Sequence, residues 1–224
     1  MIIYLLVYFD DLIITENSPN IIDQFIKQLG NHFSIKVFGI LQLFLGVEAL
    51  HKSTGLFLSQ KKYITDLLEQ SNMVGDNLIS TPMSPSGHLS LADSPHLTDL
   101  SEYRQVVGSL QYLSLARLNI TFVVDCLSQF MHQTITNHWA TIKRLLCYIK
   151  GSIGQGIFLC KNSPLSLHAF SSVDWAGNKD DWSSTSAYIM FFRHNPILWI
   201  SKKQRSIACS STKAEYKAVT STTA

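Results

Sequence analysis

The chain has 224 residues, of which 46% are hydrophobic and 15% are charged. This composition excludes a disordered protein, and the length suits one large domain or two small ones. The formal net charge of +2 excludes a strongly polycationic protein, although a local basic groove would not register in such a total. No apolar run suits a membrane span, no secretory signal precedes the first strand, and the four cysteines are scattered. We therefore expect an intracellular protein with reduced cysteines and no membrane partner.

The first third of the sequence alternates between strand and helix patterns. A β-branched and aromatic run from Ile2 to Phe9 predicts a buried strand, and Leu12 to Thr15 predicts a second strand after a tight turn. Apolar residues at helical spacing then run from Pro19 and stop at Gly30. The elements predicted next are a hairpin with strands over 43–50 and 56–59, and a helix over 61–73.

The remainder of the sequence separates into an irregular, a helical and a strand-rich stretch. Proline, glycine and serine are frequent over 74–101, which predicts a long irregular connection. Three helices are predicted at about 102–116, 119–132 and 136–150. Strands are then predicted over 157–160, 165–173, 187–192 and 197–201, followed by a helix from about Thr212.

Asp10 and Asp11 are the first candidates for chemistry, because they lie side by side between two apolar strands. Adjacent carboxylates repel each other unless a positive group lies beside them. Mg²⁺ takes hard oxygen ligands and bridges to phosphates, as two-metal phosphoryl transfer requires. Aspartate is also a favoured turn residue, so the dipeptide alone leaves a plain hairpin turn open.

The residues around these aspartates favour a metal site over a plain hairpin turn. Val7–Ile13 (VYFDDLI) resembles the YVDD-L box of reverse transcriptases, with Phe9 where copia-type elements usually have valine. Further segments resemble elements of the same family in the same order: FLGVE at 44–48, GLFLSQKKY at 55–63, STPM at 80–83 and YRQVVGSLQYL at 103–113. Taken together, the chain resembles part of a copia-type retrotransposon Pol polyprotein.

The resemblance implies an α+β chain with two modules. Residues 1–150 would be a partial reverse transcriptase, with a palm hairpin and thumb or connection helices. Residues 151–224 would be a partial ribonuclease H-like domain with a mixed sheet. The implied partners are an RNA template, a DNA primer or an RNA–DNA hybrid, while the oligomeric state stays open.

The resemblance also implies roles for single residues of the polymerase module. Asp10 and Asp11 would be catalytic carboxylates that bind Mg²⁺. Two basic sets could meet phosphates, although the more ordinary interpretation of both is a solvated helix face. The sets are Lys61 and Lys62 at a helix start, and Lys143, Arg144 and Lys150. The family has a further metal-binding aspartate on an earlier strand, and the seven residues before Tyr8 include no acidic residue.

A second set of motifs resembles the copia-type ribonuclease H: SSVDWAG at 171–177, SKKQ at 201–204 and SSTKAEY at 210–216. Glu215 matches the family's helix glutamate and would be a catalytic metal ligand. Asp174 matches the second aspartate of the family's pair and is a further catalytic candidate. The first aspartate of that pair is replaced by Ser172, and a neutral hydroxyl does not replace a carboxylate beside divalent ions.

Other residues also depart from the family's motifs, as Ser172 does. Leu118 and Asn119 replace the Pro-Asp of the family's RPDI element, Trp182 and Ser183 replace a basic pair, and Ala187 replaces a glycine. We therefore predict a fragment whose ancestral activity was RNA-directed DNA synthesis with hybrid RNA removal, and which is inactive as this chain. Two alternatives stay open: a non-enzymatic nucleic-acid-binding remnant, and a residual metal-dependent hybrid nuclease.

Overall fold

The computed structural model describes residues 2–73, 75–84, 89–91, 95, 99–162 and 164–223. These residues form six α-helices and nine strands, so the predicted α+β class is confirmed. The chain divides into two compact units, residues 1–44 and 45–224. Among the helices described, none combines the length and apolar character that crossing a bilayer requires.

The first unit contains a hairpin and one helix. Strands β1 (Tyr4–Tyr8) and β2 (Asp11–Thr15) pair antiparallel and in register. Helix α1 (Pro19–Gly30) has the bounds that the sequence predicted, because Pro19 suits the first helical position. A two-residue strand, β3 (Leu43–Phe44), ends the unit.

The prediction that residues 2–9 form a buried strand is wrong in one respect: the strand exists but is not buried. All five residues of β1 are exposed, and α1 has no buried residue. The physical reason is the size of the unit, because a two-stranded sheet and a single helix offer no second layer that could cover both faces.

The second unit begins with the predicted hairpin. Strand β4 (Val47–Lys52) pairs antiparallel with β5 (Gly55–Ser59), and Ser53 and Thr54 form the turn between them. Strand β5 also pairs antiparallel with β6 (Ile157–Cys160). Helix α2 (Lys61–Gln70) buries Ile64, Leu67 and Leu68, the apolar face that its spacing predicts.

Helices form the core of this unit. They are α3 (Ser101–Leu113), a 3₁₀ turn (Leu118–Ile120), α4 (Thr121–Ser128) and α5 (Thr136–Gly151). Their apolar faces meet α2 in one cluster that is almost fully buried. Within it, the Tyr103 hydroxyl donates to the carbonyl oxygen of Leu127 at 2.8 Å, and burial raises the pKa of Tyr103 above its ordinary value.

The last sheet is a meander. Strands β7 (Leu167–Asp174), β8 (Thr185–Phe192) and β9 (Asn195–Lys203) pair antiparallel in chain order, and helix α6 (Ser211–Thr223) packs on β7 and β8. The mixed sheet that the sequence predicted differs from this result, because every described pair here is antiparallel. Strands joined by direct turns pair antiparallel, whereas a parallel pair needs a crossover.

The predicted boundary between residues 150 and 151 stays a prediction. Strand β6, which follows it, pairs with β5 of the preceding hairpin, and helix α4 packs against β9 of the last sheet. Residues 45–224 therefore share contacts across the predicted boundary and form one compact unit.

Candidate catalytic and nucleic-acid-binding residues

The acidic hairpin of the first unit has an unusual turn. Tyr8 pairs with Asp11, which leaves Phe9 and Asp10 as the two turn residues. Phe9 has φ 48° and is 87% exposed, an uncommon conformation for a bulky side chain. Two-residue hairpin turns with positive φ match the right-handed twist of the flanking strands. This match accounts for the positive φ at Phe9.

The two aspartates do not share one environment. Asp10 lies in the turn, whereas Asp11 is the first residue of β2 and lines an apolar cavity of about 510 Å³ next to α1. Both side chains are exposed. The predicted turn at Asp10 is therefore confirmed, and Asp11 belongs to a strand. Within the described part of the chain, no group of three or more acidic, histidine or cysteine side chains is close enough to hold a metal ion.

Ser172 and Asp174 lie on the same face of β7, as their spacing predicts. They pair with Ala187 and Thr185 of β8, and Asp174 lines a cavity with residues of α4 that include Cys126. The Asp174 carboxylate is folded over the turn that follows, so closely above Gly177 that a side chain there would have no room. Asp174 therefore lies on the α4 side of the sheet, and its carboxylate covers the turn at Gly177.

Glu215 is on α6, which packs on the opposite face of the same sheet. The α6 side of the sheet carries Ser186, which accepts a hydrogen bond from Gln204 Nε2 at 2.8 Å. The same Nε2 donates to the carbonyl oxygen of Ala214 at 3.0 Å, and Ala214 faces the sheet fully buried. Glu215 itself is exposed. The sheet therefore lies between α6, which bears Glu215, and the face that bears Asp174.

Lys61 and Lys62 begin α2 and are both exposed. Their backbone N–H groups are satisfied within the fold: Lys61 N–H donates to Ser59 Oγ and Lys62 N–H to Glu48 Oε1, each at 3.2 Å. These contacts cap the helix start and leave both ammonium groups at the surface. The structure thus accommodates either a solvated face or a phosphate contact.

The basic residues of α5 divide into two kinds. Arg144 donates to Thr81 Oγ1 at 2.7 Å, and Lys150 Nζ donates to the carbonyl oxygen of Asp76 at 2.7 Å. Both therefore fasten the irregular connection to α5. Lys143 is exposed on the same helix and has no such contact in the described structure. Of the predicted α5 set, Lys143 is the residue best placed for an external ligand.

Comparison with known proteins identifies the family. Residues 1–85 match the family model described as reverse transcriptase (RNA-dependent DNA polymerase). The chain is 49% identical over 221 residues to the retrovirus-related Pol polyprotein from transposon RE1 of Arabidopsis thaliana, covering 99% of this chain and 15% of that protein. A putative transposon Ty5-1 protein of Saccharomyces cerevisiae is 31% identical, with 96% of this chain and 70% of that protein covered. This chain belongs to the copia-type retrotransposon Pol family.

Other comparisons define how far this membership extends. An uncharacterized mitochondrial protein of Arabidopsis thaliana is 37% identical over 99% of this chain and 92% of its own length. The chain spans about 15% of the Pol polyproteins from transposons RE1 and RE2. No solved structure matches the chain. Pol family membership is therefore shown by sequence across nearly all 224 residues.

One half-buried carboxyl escaped the sequence reasoning. Asp125 lies within the apolar helix α4, and burial raises its pKa to about 6, opposed by a hydrogen bond from Gln129 and by the charges of Lys202 and Lys203. Burial also raises the pKa of the neighbouring Cys126 thiol to about 12, and the charges of Asp125 and Asp174 act in the same direction. The sequence does contain a signal for this site, which is the single acidic residue in the run TFVVDCLS of α4.

Proposed function

We propose that this chain is the stretch of a Pol polyprotein that runs from the polymerase's acidic hairpin into the ribonuclease H-like sheet. We further propose that these 224 residues by themselves neither extend a primer nor cut an RNA–DNA hybrid. The observation that carries the absence of hybrid cleavage is Ser172, a neutral residue on β7 at the position of the family's first aspartate. A hydroxyl does not offset the charge of divalent ions.

The polymerase half of the proposal rests on Asp10 and Asp11. The family model matched over residues 1–85 includes both, so in a complete Pol protein we assign them to the Mg²⁺-binding carboxylates of polymerisation. The described residues do not fit a complete Mg²⁺ site, because these two carboxylates gather no third acidic, histidine or cysteine side chain.

The nuclease half of the proposal rests on the sheet. A meander of three antiparallel strands followed by a packed helix supports assignment of residues 151–224 to a ribonuclease H-like domain. The candidate catalytic carboxylates of this domain are Asp174 and Glu215. A residual nuclease that uses both is disfavoured, because Asp174 lies on the α4 side of the sheet and α6 packs on the other side.

The remaining assignments concern module borders and partners. We assign residues 1–150 to the reverse transcriptase, with β1 and β2 as its palm hairpin and α3–α5 as thumb or connection helices. The family match supports the first part of this assignment. An RNA template, a DNA primer or their hybrid would be the partner, met by exposed lysines at the start of α2 and on α5.

Primer extension and hybrid cleavage test this function directly. The purified chain is incubated with a primed RNA template and, separately, with a labelled RNA–DNA hybrid, each with Mg²⁺ or Mn²⁺. We expect no product above that of the variant Asp174→Asn/Glu215→Gln in the cleavage assay, and none above Asp10→Asn/Asp11→Asn in the extension assay. Processive extension, or cleavage that the first double variant abolishes, would overturn the proposal.

A second candidate function is nucleic-acid binding without catalysis. It is favoured by the exposure of Lys61, Lys62 and Lys143, whose ammonium groups have no partner within the described residues. The variant Lys61→Gln/Lys62→Gln/Lys143→Gln tests it with an RNA–DNA hybrid. Arg144 is left intact, since it holds Thr81 and its loss would disturb the fold. We expect weaker binding and a shallower salt dependence, and unchanged binding would rule these lysines out.

A further inference from the structure

A groove lies between α6 and the sheet, on the flank of α6 away from Glu215. Its volume is about 720 Å³, and it is lined by the end of β9, the segment after it and one side of α6. Lys213 and Lys217 are four residues apart and therefore share a flank, whereas Glu215 is about 200° around the helix from Lys213. The groove is thus separate from the candidate catalytic carboxylates.

The lining of this groove is strongly basic. It includes five of the chain's 18 lysine and arginine residues and no carboxylate among the described residues: Lys202, Lys203, Arg205, Lys213 and Lys217. The chain's net charge is only +2, so these cations are concentrated rather than evenly spread. An ordinary solvated surface would intersperse the two signs of charge, and a groove of one sign attracts a polyanion.

The cations of the groove differ in their availability. Lys203 forms an ion pair with Asp181 at 2.6 Å, which offsets its charge. Lys217 Nζ donates to the carbonyl oxygen and hydroxyl of Ser206, at 3.0 and 2.8 Å, which fixes its position while keeping its charge. The side chains of Arg205 and Lys213 are exposed and form no ion pair or hydrogen bond in the described structure. Their side chains are thus available to an external anion.

Aromatic side chains accompany this charge. Tyr216 is 72% exposed at the groove, and Tyr188 is half-buried in its wall. Nucleobases stack on exposed aromatic rings with little regard to sequence. The Ser206 hydroxyl accepts from Lys217 Nζ and keeps its own hydrogen to donate to a phosphate, whereas Thr220 and Ser221 donate theirs to carbonyl oxygens of α6.

The floor of the groove is held in place before any ligand arrives. Gln204 Nε2 joins β8 to α6 by donating to Ser186 Oγ at 2.8 Å and to the carbonyl oxygen of Ala214 at 3.0 Å. The buried Ala214 and Ala218 let the helix approach the sheet closely. A groove whose walls are already fixed loses less conformational entropy on binding.

We propose that this groove binds single-stranded nucleic acid, with the backbone phosphates on Arg205, Lys213 and Lys217 and a base stacked on Tyr216. A single strand fits better than a duplex, because only unpaired bases present their faces to an aromatic side chain. The site does not depend on the proposed function above, since none of its residues belongs to either set of candidate catalytic carboxylates.

Fluorescence anisotropy with a labelled 20-nucleotide single-stranded RNA tests this groove. The groove variant is Arg205→Gln/Lys213→Gln/Lys217→Gln. The matched control is Lys52→Gln/Lys161→Gln/Lys179→Gln, which removes the same charge at exposed positions elsewhere. We expect the groove variant to bind at least 10-fold more weakly and to lower the slope of log K against log salt by about 2. The control variant should retain near-normal binding.

The stacking contact is tested by Tyr216→Ala beside Tyr216→Phe. Loss of the ring should weaken binding about 10-fold, whereas phenylalanine should bind like the natural residue. Circular dichroism and urea midpoints establish that each variant is folded. A groove variant that binds like its control, or a Tyr216→Ala variant that binds like the unaltered chain, overturns the proposal. Neither outcome affects the catalytic assays, which use other residues.

Discussion

The guanidinium of Arg117 donates hydrogen bonds to the carbonyl oxygen of Ser152 at 3.0 Å and to its hydroxyl at 2.7 Å. Arg117 is 2% exposed, and burial lowers the pKa of its guanidinium, opposed by the Tyr148 hydroxyl. No carboxylate pairs with it among the described residues. These contacts fasten the 3₁₀ turn to the end of α5, and they leave a buried cation whose charge is not offset.

Restoring a carboxylate beside Arg117 should stabilise the fold. Arg117 Nε donates to Asn119 Oδ1 at 3.2 Å, and the family's RPDI element has aspartate at that position. For Asn119→Asp we expect the free energy of unfolding to rise by about 1 kcal/mol, because the new charge offsets a desolvated guanidinium. Urea unfolding at neutral pH measures it. Asn162→Asp, an exposed change of the same chemistry, is the control, and equal midpoints for both variants would contradict the prediction.

The pairing of β5 with β6 should depend on Gly156. A Cβ atom there would overlap the carbonyl oxygen of Leu58 and the Phe57 ring, and the backbone oxygen cannot move aside without loss of the strand pair. We expect Gly156→Ala to lower the free energy of unfolding by about 2 kcal/mol. Gly154→Ala is a matched control, because no heavy atom lies within 4 Å of its new methyl group.

Differential scanning calorimetry of both glycine variants provides the measurement. A downward shift in Tm for Gly156→Ala with a near-normal Tm for Gly154→Ala is the expected pattern. Equal shifts would mean that the close approach at Gly156 is relieved at little cost, and the account of this strand pair would be incorrect.

Local patterns in the sequence predicted the secondary structure well. The helix over Pro19–Gly30 has a proline start, a glycine stop and strong apolar periodicity, all of which act within the helix itself. The hairpin turn between β4 and β5 has the same local origin. Such features depend on neighbouring residues in the chain and are therefore readable from it.

Tertiary contacts were not predictable in the same way. The burial expected for β1 depends on layers that the first unit does not provide, and the pattern of its side chains contains no such information. Arg144 and Lys150 resembled a free basic face, yet both bind the irregular connection through contacts 63 and 74 residues away along the chain. Strand alternation correctly placed Ser172 and Asp174 on one face of β7. It did not predict which helix covers that face.

The irregular connection should be held to the last sheet by Asp180. Its Oδ1 accepts from the buried Ser90 hydroxyl at 3.0 Å, and both carboxylate oxygens accept from the Leu91 N–H at 3.2 Å. For Asp180→Ala we expect amide exchange at Leu91 to accelerate about 5-fold, because a net hydrogen bond contributes about 1 kcal/mol. Hydrogen–deuterium exchange followed by mass spectrometry measures it.

Two comparisons make the Asp180 experiment decisive. Asp180→Asn keeps one acceptor oxygen and should accelerate exchange less than Asp180→Ala. Lys179→Ala changes the preceding exposed residue and should leave the Leu91 amide as it was. An unchanged exchange rate in Asp180→Ala would show that the contact does not hold the connection.

Asp125 should make stability depend on pH between about 4 and 6. Its pKa in the folded chain is about 6, raised chiefly by burial, whereas an unfolded aspartate titrates near about 3.9. The folded state therefore binds more protons across this range, and stability falls as pH rises from about 4 to 6. Above pH 6 the ionised carboxylate remains in place at a constant cost.

Replacing Asp125 by asparagine should remove that cost while keeping an oxygen that accepts from Gln129. At pH 7.5 we expect Asp125→Asn to be more stable by about 1–2 kcal/mol, a value reduced for the partial solvent access of the side chain. The advantage should shrink towards zero near pH 4. Urea midpoints at pH 4, 5, 6 and 7.5 trace the curve, and Asp66→Asn on the exposed side of α2 is the matched control. A constant difference across all four pH values would mean that Asp125 does not titrate in this range.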